Sequence, residues 1–144
     1  MKTHHLALLC SLLGLATFCP ASRAQLPSPQ DIPTEVQIYT SNNEGIQTNF
    51  EVVPTSGGYG PLHELLQDGY APSMVVYYRS QANPNDQGEA CTVVLPQSGA
   101  GSCTWHISGT NAYYIWVTFP GIFDSDAGQY WYAPSTSDTV LAVP

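Results

Sequence analysis

Apolar positions recur every second residue in short runs along most of the chain, and clusters of glycine, proline, asparagine and serine separate the runs. Residues 35–40 place Val36 and Ile38 on one face, and residues 46–52 do the same for Ile46, Thr48, Phe50 and Val52. Alternation of period two is the mark of a strand with one buried side. Residues 73–79, 91–95, 104–107 and 112–119 are rich in β-branched and aromatic side chains, and 130–132 and 139–143 complete the set. Ser56-Gly57-Gly58, Asn83-Pro84-Asn85-Asp86 and Ser98-Gly99-Ala100-Gly101 read as turns. The one helix-like piece covers residues 62–66, about one turn, and stops at Asp68-Gly69. Many short strands with almost no helix predict an all-β antiparallel sandwich or barrel.

The ends of the chain have a different character. Lys2, an apolar stretch over 6–18 and the small residues of Ser22-Arg23-Ala24 have the form of a secretory signal peptide, with cleavage expected after Ala24. That apolar stretch is shorter than the roughly 20 residues a membrane span requires. The tail 138–144 is too short for a lipid-anchor signal. Residues 25–34, with Pro27, Pro29 and Pro33, read as an extended leader, because proline removes a backbone donor and stops regular pairing. Residues 35–144 then form a single domain, exported through the endoplasmic reticulum, with no membrane insertion.

Charge and cysteine content sharpen this picture. Beyond Ala24 only Arg79 is basic against eleven acidic residues, a formal charge of −10. Such a surface repels phosphate backbones and anionic lipid, which excludes nucleic acid and membrane surfaces as partners and steers basic ones inward. Cys10 and Cys19 leave with the signal peptide, so Cys91 and Cys103 remain to form one disulfide in an oxidising compartment. A bridge closing about 13 residues contributes on the order of 3 kcal/mol. No Asn-x-Ser/Thr sequon is present, so solubility rests on charge rather than sugar.

The segment 113–132, YYIWVTFPGIFDSDAGQYWY, resembles the E–F region of immunoglobulin V-type domains: an alternating strand, a short corner, Asp-x-Gly-x-Tyr, then the last core strand. The resemblance makes Asp126, Gly128 and Tyr130 a tyrosine corner, in which the ring is buried and the hydroxyl bonds backbone upstream. Residues 59–80, YGPLHELLQDGYAPSMVVYYRS, are similar to the second framework region of lambda-type and surrogate-light-chain (VpreB-like) variable domains. Gly69, Ala71, Pro72 and Tyr77-Tyr78-Arg79-Ser80 keep that register, and Glu44-Gly45 with residues 46–52 resembles the strand that carries the first core cysteine.

The departures from the family are as specific. Val52 and Tyr132 stand where the resemblance puts the two core cysteines, so the usual inter-sheet bridge is replaced by an apolar pair. His63 stands at the core-tryptophan position. A second alignment puts Tyr77 there, at the cost of a long first loop, and the first is preferred for its shorter connections. The Cys91–Cys103 bridge is then expected to clip a hairpin between middle strands, and Trp105, Trp116, Tyr113, Tyr130 and Tyr132 to fill the core.

Chemistry is sparse. His63-Glu64 would place base and orienter on opposite faces of a strand. Asp124 and Asp126 offer too few oxygens for calcium. Cofactor and nucleophile motifs are missing from the sequence, as is any zinc-ligand spacing. The aromatic set Tyr77, Tyr78, Tyr113, Tyr114 and Trp131 suits either a sugar platform or core packing, and alternation favours the core for half of it. The expectation is a secreted, cofactor-free, non-enzymatic recognition or chain-pairing module. Its candidate interface is Tyr77, Tyr78, Arg79 and Trp131, and its partner a protein: by the resemblance an immunoglobulin-type chain, otherwise a cell-surface receptor. A ligand or decoy for a receptor or carbohydrate is the alternative.

Overall fold

The computed structural model describes residues 30–42, 45–106 and 110–143. The expected signal peptide and residues 25–29 of the leader lie outside them.

Among the described residues ten strands and one helix follow in the order β1 (Thr34–Asn42), β2 (Ile46–Pro54), α1 (Gly60–Gln67), β3 (Ser73–Ser80), β4 (Gln87–Val94), β5 (Ala100–Trp105), β6 (Tyr113–Phe119), β7 (Ile122–Asp124), β8 (Gln129–Tyr132), β9 (Ser135–Thr136) and β10 (Val140–Ala142). Two large antiparallel sheets result, beside a two-stranded one formed by β7 and β8. One has the order β1-β2-β5 and the other β10-β6-β3-β4, with β9 also pairing β6. The inward positions of both, Val36, Ile46, Phe50 and Val52 against Met74, Val76, Ile115 and Val117, merge into one buried cluster. The chain is thus an all-β antiparallel sandwich, as the alternation predicts.

Alternation shows why each strand sits where it does. In β2 and β6 every second residue is buried, as in a central strand covered on one face by the opposite sheet. The helix follows from a different spacing: Leu62, Leu65 and Leu66 recur at helical intervals and are all buried in the same cluster. This helix overturns the strand expected at His63. The framework strand begins at Ser73 instead, and β3 pairs β6 on one side and β4 on the other. The long stretch after Ser80 is taken up by β4, hairpin partner of β3.

The Cys91–Cys103 disulfide is formed, with Cα atoms 6.5 Å apart. It does not clip a hairpin within one sheet. Cys91 belongs to β4 and Cys103 to β5, the terminal strands of different sheets, so the bond ties the two layers together along one open side. An inter-sheet bridge is therefore present, at the edge rather than the centre of the sandwich.

The run 126–130 also falls elsewhere than the family resemblance expects. It follows β6 as the tip of a two-stranded β7–β8 unit that belongs to neither large sheet. Asp124, not Asp126, holds the turn: its Oδ1 accepts the Asp126 and Ala127 N–H groups at 2.9 and 3.2 Å, and Gly128 takes the left-handed conformation. Tyr130 packs edge to face on Phe123 at 4.9 Å and lies over Gly121. Val52 and Tyr132 are both buried, but Tyr132 arrives on β8, so the two are not opposed from sheet to sheet.

The leader is part of the fold at its end. Asp31 and Ile32 donate to the Tyr130 and Trp131 carbonyls, Ala133 donates back to Ile32, and Thr34 Oγ1 donates to the Ala133 carbonyl. The folded unit therefore begins by Asp31, ahead of the boundary at 35.

Candidate functional site

Residues that alternate outward from the larger sheet form a continuous aromatic face. Register sets its rows. Leu141, Tyr114, Arg79 and Gln87 stand side by side across four strands, Trp116, Tyr77 and Glu89 form the next row, and Thr136, Thr118, Val75 and Thr92 the third. Tyr77 and Trp116 are offset-stacked, with centroids 5.6 Å apart and planes at 14°. The Arg79 guanidinium lies over the Tyr114 ring at 5.4 Å, a cation–π contact that spreads the one Lys or Arg charge among the described residues across an aromatic plane. Leu141 is 47% exposed at one margin, and Val94 is 61% exposed at another.

Electrostatically the face differs from the rest of the molecule. Of the acidic residues, Glu89 alone stands in these rows, and Arg79 offsets it. An aromatic, near-neutral patch therefore sits within a strongly acidic surface. Depletion of charge with enrichment of Tyr, Trp and Arg is the compositional mark of an interface centre.

Of the four residues expected at the interface, Tyr77 and Arg79 lie here. Tyr78 points inward, where its ring meets Trp105 at 4.9 Å and Tyr113 at 5.9 Å, and Trp105 meets Tyr113 edge to face at 5.5 Å. This triad joins β5 to β3 and β6 across the core. Trp131 is buried and packs edge to face on Tyr70 at 5.0 Å. The cause is parity: neighbours in a strand face opposite ways, so Tyr77 and Tyr78 cannot share a surface. Tyr114 and Trp116 take the missing places. The alternation of 113–119 contains both, and it turns Trp116, expected in the core, outward with Tyr114 while Tyr113, Ile115 and Val117 face inward.

The remaining candidate groups do other work. His63 Nε2 lies 3.1 Å from the Ser98 carbonyl, a hydrogen bond that fastens α1 to the β4–β5 connection. Loss of hydration first, and then the neighbouring Glu51 carboxylate, hold the Tyr59 phenol above the usual range. No group of three or more His, Cys, Asp or Glu suited to a metal occurs among the described residues. No helix among them is long and apolar enough to cross a membrane.

Compared with family models, curated proteins and solved structures, the chain matches none.

Proposed function

We propose that the protein is an exported recognition module of immunoglobulin-like build, acting without catalysis or cofactor, that pairs with another protein through the outer face of β10-β6-β3-β4. The observation that carries this reading is the aromatic, charge-poor face centred on Tyr77, Trp116, Tyr114 and Arg79. Strand order supports the build. In the letters used for immunoglobulin domains, β1-β2-β5 against β10-β6-β3-β4 corresponds to A-B-E against G-F-C-C′, without strands D and C″. On that correspondence β7 to β9 are an elaboration between F and G, and the partner is an immunoglobulin-type chain or a cell-surface receptor.

A sugar-stacking role for the same face fits less well. Tyr77 and Trp116 already spend ring faces on each other, and Arg79 covers Tyr114. Aromatic pairs locked this way form a flat anchor rather than free stacking platforms.

The test is binding of the purified protein to a panel of immunoglobulin-type chains and receptor ectodomains, followed by light scattering of each mixture. A complex lost on Trp116→Glu, with the melting temperature unchanged, is the expected result. A complex indifferent to Trp116→Glu and Arg79→Ala, or a monomer that binds nothing on the panel, counts against the pairing face.

A further inference from the structure

An open groove of about 540 Å³ runs beside β5, away from the rows of the aromatic face. Its lining comes from both sheets: Tyr39, Asn49, Glu51 and the β5 residues 100–102 on one side, Val93 and Pro96 on the other. The Cys91–Cys103 bond joins the two edge strands that flank it, so the 91–103 segment is a covalently closed wall.

Three properties of the groove bear on what it accepts. First, β5 ends its sheet, so one side of its backbone has no neighbouring strand; Ser98 Oγ meets the Ala100 N–H and C=O, so the part open to an added strand lies beyond Ala100. An edge of this kind presents unpaired N–H and C=O groups and is a template for an added strand. Second, apolar surface lies next to that edge. Val93 and Pro96 contribute it, and the Phe50 ring fills the space below Gly101, 2.7 Å from where a Cβ would stand. Third, Glu51 is the one charged residue of the lining, and Tyr39, diagonal to it across the β1–β2 pair, is 62% exposed. A carboxylate next to an open aromatic ring and apolar walls suits a lysine or arginine side chain, whose stem packs on carbon while its cation meets charge and ring.

We infer that this groove is a docking site for an extended basic peptide segment, which adds as a strand to the free edge of β5 and anchors a Lys or Arg on Glu51 beside Tyr39. Charge complementarity selects this occupant. With one arginine against eleven acids beyond residue 24, the molecule draws cationic segments in and turns acidic ones away. The inference stands apart from the pairing face, since none of its residues belongs to the aromatic rows.

The probe is a fluorescent seven-residue peptide of alternating Val and Lys, titrated into the full-length protein in low salt, with a Val/Glu peptide of equal length as control. Expected results are saturable binding of the Val/Lys peptide only, a loss of about tenfold on Glu51→Gln, a smaller loss on Tyr39→Ala, and weakening as salt rises. N-methylation of alternate peptide residues removes donors that a β5 edge would use, so it should abolish binding while the protein itself is unaltered. Trp116→Glu should leave the affinity intact, which separates this site from the pairing face. Equal binding of both peptides, indifference to Glu51→Gln, or retention of the N-methylated peptide would overturn the proposal. So would saturable binding of a neutral oligosaccharide such as cellotetraose that displaces the basic peptide.

Discussion

At single positions the core carries polar atoms that its packing does not satisfy. Thr48 Oγ1 and the Tyr132 hydroxyl are buried without a hydrogen-bond partner, in side chains 0% and 1% exposed. A buried group left unbonded costs about 1–3 kcal/mol. Thr48→Val, which keeps the shape, is therefore expected to stabilise the protein by about 1 kcal/mol in denaturant titrations. Tyr132 adds a pH dependence. Burial first, and the Glu64 charge second, raise its pKa above the ordinary phenol value of 10.0. The folded state then holds its proton more tightly than the unfolded chain, so stability is full below pH 10 and declines as pH climbs through the raised value. Tyr132→Phe should raise the melting temperature at pH 7 and flatten its fall above about pH 10; a fall as steep as the parent's would place the alkaline sensitivity elsewhere. Gly121 shows the opposite kind of constraint. With φ at +82°, a Cβ there would lie 2.7 Å from the Tyr132 carbonyl and 2.8 Å from the Tyr130 ring. Gly121→Ala is expected to cost about 2 kcal/mol or more. Tyr130→Phe should cost less than about 0.5 kcal/mol, because the ring's packing on Phe123 and Gly121 survives the loss of the hydroxyl. Equal costs for the two variants would restore a structural role for that hydroxyl.

Among the elements, the edge strands β4 and β5 depend most on a covalent bond. Removing it with Cys91→Ala and Cys103→Ala is expected to cost on the order of 3 kcal/mol, with amide exchange accelerating first in those two strands. Uniform acceleration would mean that the bond supports the whole sandwich rather than its open side. The same strands explain what the sequence hid. Strands with a clean buried alternation, such as β2 and β6, were legible to within a residue or two, since the opposite sheet demands an apolar side chain at every second place. In β4 the stretch Gln87-Gly88-Glu89-Ala90 carries little hydrophobic signal, and a register shift beside Tyr77 breaks its period. In β5, Ala100-Gly101-Ser102 looks like a turn because Phe50 from β2 supplies the bulk that Gly101 lacks. The helix was legible as the one helix-like piece at 62–66, stopped by Asp68-Gly69, although likeness to a framework strand put His63 on a strand. Half of the expected interface lies off this face for a simpler reason: adjacent aromatics on a strand point to opposite sides, so Tyr77 faces outward and Tyr78 inward.

For the whole molecule, the distribution of charge matters more than its total. Ten of the acids lie among the described residues, and they leave one face almost neutral around the single cation. That cation has a further consequence. Arg79 sits near the end of β3, whose backbone is paired with Gln87 on one side and Tyr114 on the other. Beyond Arg23 it is the only site in the chain at which trypsin can cut. A protease needs several residues freed from their ladder, and β3 is released only when the sandwich opens, so digestion reports the population of the globally unfolded chain. The bonded Cys91 and Cys103 both follow Arg79, so that disulfide does not hold the two fragments together. A brief pulse of trypsin across a urea series should leave one intact band giving way to two at a single midpoint, matching that from fluorescence. Cleavage well below that midpoint would reveal local opening of β3.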